Sequence, residues 1–365
     1  MVVGAGVVGC AVAYELARRG ASVEVIDDRP AGMGATQASA GVLAPFIEAR
    51  DGGPLLDLTA RSLDLFDTFV ARASADSGST INYQRTGTLD VALLPESMRE
   101  LTERHALLAD RGVDSLLLDA PSVRVHEPGL SSAALGGLLI PSHGFVAASE
   151  LTRALAAAAR RHGARLIAHG RVRRIARADD ELRIETDRGA LHGDAVVIAA
   201  GSWSGQIQID DVPDRVPVKP IRGQLLQLRW SATPLKRVIW GERCYVVPWL
   251  DRTVLVGATV EDVGFDERTT VDGVRDLIEA ACELLPDART ASVDTPRVGL
   301  RPATPDHLPV IGFSGTTRNL MYATGHYRNG VLLAPLTAVL VADALLDGVS
   351  DPVLELTSPQ RFGGL

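Results

Sequence analysis

The glycines Gly4, Gly6 and Gly9 spell a G-x-G-x-x-G turn between the apolar run Met1 to Val3 and an apolar stretch, Cys10 to Arg19, of helical character. Each glycine answers a different steric demand. The first permits the tight turn, the second lets a pyrophosphate approach the backbone, and the third lets the helix pack against the strand. The N-terminus of that helix then offers unpaired N–H groups and a positive dipole end to an anion. Gly20 stops the helix, Ala21 to Ile26 reads as a strand, and Asp27 stands at about the twenty-residue spacing of an acid that holds the adenosine ribose. A carboxylate there selects an unphosphorylated ribose. These features agree on a dinucleotide site, with Val7, Val8 and Asp28 beside it, but they do not choose between FAD and NAD. Only three residues precede Gly4, so the first strand is short and a start further upstream is expected.

A chain of 365 residues holds two domains or one elaborated α/β domain. Its formal charge of -8 is spread along the sequence, without the basic stripe that nucleic acid or an anionic membrane surface would need, which leaves small-molecule chemistry. Cys10, Cys244 and Cys282 are odd in number and far apart, so neither a disulfide framework nor a zinc cage is expected, and a reducing, cytoplasmic setting fits. None of the eight histidines has metal-ligand spacing, so no metal is expected. The longest apolar stretch, Val331 to Leu346, is broken by Pro335 and Asp343; it is expected to be a buried helix too short to span a bilayer comfortably.

Along the chain, Ala31 to Pro45 is rich in Gly, Ala, Ser and Thr and is expected to be a second loop that hugs the cofactor, because Val42 and Leu43 interrupt what a linker would keep polar. Helices are predicted over Leu55 to Arg72, Pro95 to Arg111, Ser149 to His162 and Asp272 to Leu285, and a short helix or turn over Pro121 to Pro128. The run Ala195 to Ala200 is apolar throughout, as a parallel strand buried on both faces should be, and it ends at Gly201. The pentad Gly201 to Gly205 has Trp203 rather than Ser at its centre, which rejects a nucleophile elbow and a hydrolase. From Val216, closely spaced strands without intervening helices, at Ile221 to Leu228, Val238 to Trp240, Cys244 to Trp249 and Thr253 to Ala258, predict an antiparallel sheet and a second domain.

Four segments in the later part of the chain hold the residues best suited to chemistry. Gly299 to Asp306 sets a lone Arg301 beside a predicted proline turn; Gly325-His326-Tyr327-Arg328-Asn329-Gly330 precedes the apolar helix; Arg222-Gly223-Gln224 and Cys244-Tyr245-Val246-Val247-Pro248 lie on the predicted sheet. With T-Q-A-S-A-G from Thr36 to Gly41, these motifs stand in an order that resembles the glycine oxidase and D-amino-acid oxidase family of FAD enzymes. Within it the chain is most similar to the bacterial glycine oxidase branch linked to thiamine biosynthesis.

The resemblance covers nearly the whole chain and implies an α/β protein: a glutathione-reductase-like doubly wound FAD domain (1–82, 141–205 and 296–365) interleaved with an antiparallel substrate domain (83–140 and 206–295). It implies that Arg301 binds the substrate carboxylate, that Tyr245 adds a hydroxyl to it, and that Arg328 borders the substrate side of the flavin. Ala35, Thr36, Ala40, Gly41 and Val42 match the second cofactor loop, Val172 a residue whose backbone touches adenine, and His326 to Leu332, with Asn329, Gly330 and Val331, the segment at the pyrimidine end of the flavin. The implied reaction is oxidation of a small amino acid or amine by hydride transfer to non-covalent FAD, with O2 as acceptor and no side-chain base required when the amine enters neutral. Gly299 falls near where related sarcosine oxidases attach flavin to cysteine. Arg243 replaces a histidine of the resembled enzymes and is expected to put a permanent charge near the active-site mouth. Tetramers are common in the resembled family, so a homo-oligomer is compatible. A dehydrogenase using a quinone, a flavin-holding subunit without turnover and, less favoured, an NAD enzyme are the alternatives.

Overall fold

The computed structural model describes residues 1–365 except 49–52, 169, 211 and 213. Its central sheet has six strands, in the order Val310–Phe313, Leu320–Thr324, Val196–Ile198, Val2–Val3, Glu24–Asp27 and Arg165–Ala168. All neighbours are parallel except the first pair. Side chains alternate across a strand, so each face has its own partner. Val2, Val25, Val197 and Met321 meet a layer of helices, whereas Val3, Ile26, Ile198 and Tyr322 meet a four-stranded sheet built from residues 172–209. A parallel sheet covered on both faces explains why the central strands Val2–Val3 and Val196–Ile198 are apolar throughout, while Glu24, Asp27 and Arg165 fall at strand ends.

The helical layer is Val7–Arg18, Pro54–Ser77, Ala148–Arg161 and Gly330–Ala342. The first helix begins one turn earlier than its composition suggests, at Val7 rather than Cys10, because the glycine turn closes immediately after Gly6. Gly9 consequently lies inside the helix, where a Cβ would stand 1.9 Å from the Gly4 carbonyl oxygen. The helical run from Tyr327 to Asp347 is long and apolar enough to cross a bilayer, contrary to the expectation that it is too short. It packs against the Val7–Arg18 and Pro54–Ser77 helices as a core helix, with Val331, Leu333, Leu336 and Leu340 nearly inaccessible. Burying such a side chain stabilises the fold by about 1.5–3 kcal/mol.

The second large sheet has eight strands, in the order Ser292–Ala303, Lys219–Arg229, Thr253–Gly257, Tyr245–Pro248, Val238–Trp240, Thr88–Ala92, Gly136–Ile140 and Leu116–Asp119. It is antiparallel, as the strand spacing predicts, except where Val238–Trp240 runs parallel to Thr88–Ala92. That junction joins the chain's two separate contributions to the sheet. Arg301 corrects its expected setting: it lies not beside a turn but within the Ser292–Ala303 strand, opposite Ile221. Pro296 and Pro302 argue against a strand only in a sheet interior, and this one is at the edge. A three-stranded sheet of Val42–Leu43, Gly144–Val146 and Tyr83–Gln84 lies between the two larger ones in the chain's course.

Candidate functional site

One cleft runs from the glycine turn to the eight-stranded sheet and encloses about 1810 Å3 of empty space including its open mouth. At one end Gly4, at φ +107°, passes so close to the chain after Val196–Ile198 that a Cβ would lie 2.4 Å from the Ala199 carbonyl oxygen. Gly6 begins the helix without a side-chain cap. Val7 N–H donates to Thr36 Oγ1 at 3.1 Å, and among the described residues no acceptor takes the N–H of Gly6 or Val8. Asp27 accepts from Ala5 N–H at 2.6 Å and Arg29 N–H at 2.8 Å, so it braces the glycine turn while bordering the cleft. Burial raises its carboxyl above the usual range, against the lowering effect of those two donors.

The loop from Ala31 to Pro45 is pressed between two strands by glycines. A Cβ on Gly41, at φ +65°, would stand 1.8 Å from the Val146 carbonyl oxygen, and one on Gly299 would stand 2.9 Å from Ala38 Cβ. Ala35, Thr36, Ala40, Gly41 and Val42 therefore face the cleft, as do Asp28, Val172 and Gly201. At the far end, His326, Tyr327, Arg328, Gly330 and Val331 border it at the start of the Gly330–Ala342 helix. His326 is 4% exposed, its Nε2 lies 2.9 Å from Thr337 Oγ1, and burial pushes its pKa down to about 3. Burial thus keeps it neutral, with one ring nitrogen against Thr337.

Arg301 and Tyr245 both border the cleft from the eight-stranded sheet, and each lies over a glycine of a neighbouring strand. The Arg301 guanidinium lies over Gly223, whose Cβ would come within 2.3 Å of it, and the Tyr245 ring lies over Gly257 at 2.5 Å by the same measure. Arg301 Nη1 donates to the carbonyls of Thr259 at 2.9 Å and Arg222 at 3.3 Å. Among the described residues Nη2 and Nε have no acceptor, so one edge of a planar, permanently charged fork is available for bidentate recognition of a carboxylate. Trp240 packs against Tyr245 with ring centres 4.8 Å apart and planes tilted by 37°, and both border the cleft.

Residues 1–344 match the family described as DAO, FAD dependent oxidoreductase. The chain belongs to that family. It is 33% identical to glycine oxidase from Geobacillus kaustophilus over 344 residues, covering 94% of this chain and 91% of that one. The crystal structure of that glycine oxidase superposes with a TM-score of 0.94, covering 99% of this chain and 97% of the other. The crystal structure of iminodiacetate oxidase (IdaA) from Chelativorans sp. BNC1 superposes with a TM-score of 0.87 at 27% identity, covering 98% of each chain. A bifunctional protein ThiO/ThiG from Synechocystis sp. is 33% identical over 99% of this chain but only 54% of its own length; the chain thus spans about half of the curated relatives it matches first.

The chain is therefore an FAD-dependent oxidoreductase of the DAO family, and the cleft fits FAD on its own chemistry: a cradle that Cβ atoms would fill, free N–H groups at a helix start, and an acid beside the turn. Three residues placed with the cofactor do not border the cleft in this DAO-family chain. Gly9 serves packing of helix on strand; Asn329 is buried below the segment; and Leu332, one helical step beyond Val331, turns into the core, where its carbonyl accepts from Ser62 Oγ at 2.6 Å. Arg243 does not reach the mouth. Its guanidinium leaves the cleft for the Val271–Leu284 helix, 3.3 Å from Glu283 and 3.9 Å from Glu279, so it adds no free charge beside the substrate end.

Sequence reasoning passed over Trp240 and Gly257, gave Gly223 no separate role, and did not pair Arg29 with Trp203. Arg29 stands 4.6 Å over the Trp203 ring and forms a bidentate pair with Glu267, both bonds 2.9 Å, at the cleft wall. Glycine inside a strand is itself a mark of close approach, and that signal was present at Gly223 and Gly257.

Proposed function

We propose that this oxidoreductase oxidises glycine or another small D-amino acid or secondary amine to the 2-oxo acid, releasing ammonia or an amine and turning O2 into H2O2. The half-held Arg301 fork beside Tyr245 is the observation that carries this reading. The carboxylate would dock on Arg301 Nη2 and Nε, with the Tyr245 hydroxyl beside it and Arg328 bordering the same end of the cleft. No side chain needs to act as base if the amine enters neutral, and His326, with its pKa pushed down to about 3 by burial, is a weak base.

Bound FAD would supply the two-electron sink, and this chain's contribution is position and charge. Gly4, Gly6 and Val8 would hold the pyrophosphate, Asp27 the ribose, the backbone of Val172 the adenine, and Ala35 to Val42 the middle of the cofactor. The start of the Gly330–Ala342 helix, with its positive end, would stabilise negative charge at the pyrimidine side. Gly299 offers no nucleophile, which supports non-covalent attachment. On this reading 1–82, 141–205 and 296–365 form the cofactor domain and 83–140 and 206–295 the substrate domain.

The test is an anaerobic absorbance titration of the purified, FAD-loaded protein with glycine, sarcosine and D-alanine, followed by air. Bleaching of the flavin bands and their return with one H2O2 per turnover is expected. Bleaching without recovery in air would instead identify a dehydrogenase, and no bleaching by any of the three would refute the substrate class.

A further inference from the structure

The motif Ile221-Arg222-Gly223-Gln224 carries two buried side chains, Arg222 and Gln224, that the cleft does not use. Arg222 is 4% exposed and Gln224 is fully buried. Both reach one carboxylate. Glu261 Oε2 accepts from Arg222 Nε at 3.1 Å and from Arg222 Nη2, while Oε1 accepts from Gln224 Nε2 at 2.8 Å and Thr259 Oγ1 at 2.5 Å. The backbones are paired too: Arg222 N–H donates to the Glu261 carbonyl and Glu261 N–H to the Arg222 carbonyl, at 2.8 and 3.0 Å. The carbonyls of Arg222 and Thr259, fixed by this knot, are the two that hold Arg301 Nη1.

We propose that Arg222 and Glu261 are positioning residues that set the direction of the Arg301 fork, acting through the carbonyls of Arg222 and Thr259; this rests on the reading that Arg301 takes the substrate carboxylate. A guanidinium on a long flexible stem samples many directions, and two acceptors on one nitrogen leave it little choice. Which way those acceptors face depends on Thr259, whose hydroxyl reaches Glu261 and whose backbone pairs with Gln224. The outer half of the same segment is fastened separately, by Asp266 to Arg222 Nη1 at 2.9 Å, by Glu267 to Arg29, and by Phe265 against Trp203 with ring centres 5.7 Å apart. A change at Glu261 therefore leaves the segment in place and disturbs its inner end.

Glu261→Gln tests this directly. It keeps the shape but turns one oxygen into an amide donor, and wherever that amide faces, it meets donors from Arg222 or from Gln224 and Thr259. The readouts are the Kd of glycolate, a carboxylate without an amine, measured from the perturbed flavin spectrum of the FAD-loaded protein, and kcat and KM for glycine. Glycolate affinity and KM are expected to worsen about ten- to a hundredfold, with kcat within about threefold of the parent. Thr259→Val, a milder change that removes the same link, is expected to shift both in the same direction by less. Unchanged glycolate binding in both variants, or a fall in kcat that matches loss of bound FAD with KM unmoved, overturns the proposal. Arg301→Met separates the two levels: if it too leaves glycolate affinity unchanged, the carboxylate role of Arg301 fails; if it abolishes binding while the other variants do not, only the positioning role fails.

Discussion

Replacing Gly223 by alanine places a methyl group where the Arg301 guanidinium now lies. The new Cβ would stand 2.3 Å from Cζ, Nη1 and Nη2, whereas ordinary contact begins at 3.4 Å, so the guanidinium must retreat by about 1 Å. Gly223 does not need a positive φ, and alanine suits a strand, so the backbone accepts the change and the effect falls on the side chain. A retreat of that size breaks the 2.9 and 3.3 Å bonds from Nη1 and misaligns the free edge. Losing one of two charge-assisted hydrogen bonds to a carboxylate costs about 1.5–3 kcal/mol. At 1.4 kcal/mol per factor of ten, KM for glycine should rise by about 10- to 150-fold. The bond is present in ground and transition states alike, so kcat should change by less than about threefold. Steady-state oxygen uptake against glycine concentration measures both, with the flavin spectrum and the urea midpoint as controls. A KM within twofold of the parent, with FAD bound and stability intact, would refute the argument that Arg301 must lie across Gly223 to work.

Gly257→Ala displaces the Tyr245 ring, whose hydroxyl would lie 2.5 Å from the new Cβ; the loss of one hydrogen bond to a charged carboxylate, about 1.5–3 kcal/mol, predicts a rise in KM of about 10- to 150-fold in the same assay. Gly41→Ala combines a positive φ of +65° with a Cβ 1.8 Å from the Val146 carbonyl oxygen, so it should lower unfolding free energy by at least about 2 kcal/mol in urea and yield protein depleted of FAD. His143 and His326 are held neutral, each with a pKa pushed down to about 3, chiefly by burial. Between about pH 6.5 and 3 the unfolded chain binds protons there that the folded chain does not, so stability falls as pH falls, each histidine contributing about 1.4 kcal/mol per pH unit. Urea midpoints from pH 7.5 to 5 should show this slope, and the double variant His143→Gln, His326→Gln should flatten it; an unchanged slope would show that these groups protonate in the native state.

The dinucleotide end was legible because its steric requirements are local: a few glycines, a helix and an acid in sequence order dictate one another. The same locality makes Asp27 readable from spacing, whereas the residues from Ala35 to Val42 were assigned to the cofactor one by one only through resemblance. Arg301 was readable as a carboxylate ligand only through resemblance, because its setting depends on a strand partner, Lys219–Arg229, that lies far away in sequence. Its two prolines read locally as a turn, and only the position of the strand at the sheet edge removes the contradiction. The destination of Arg243 was equally non-local, being set by carboxylates on the Val271–Leu284 helix. The short strands Gly136–Ile140 and Leu116–Asp119 were missed because they lack clean alternation and lie among turn-forming residues.

The edge position of the Ser292–Ala303 strand matters to the protein in concentrated solution. An open sheet edge with a full row of amide donors is a template on which another chain can grow. Here Pro296 and Pro302 delete two donors, Arg297 adds charge between them, and the short helix Ala35–Ala38 lies against Gly299 in the strand's second half. The residues that made the strand hard to recognise also make it a poor seed for aggregation, so the arginine proposed to hold the substrate can sit at the margin of the sheet without leaving that margin adhesive.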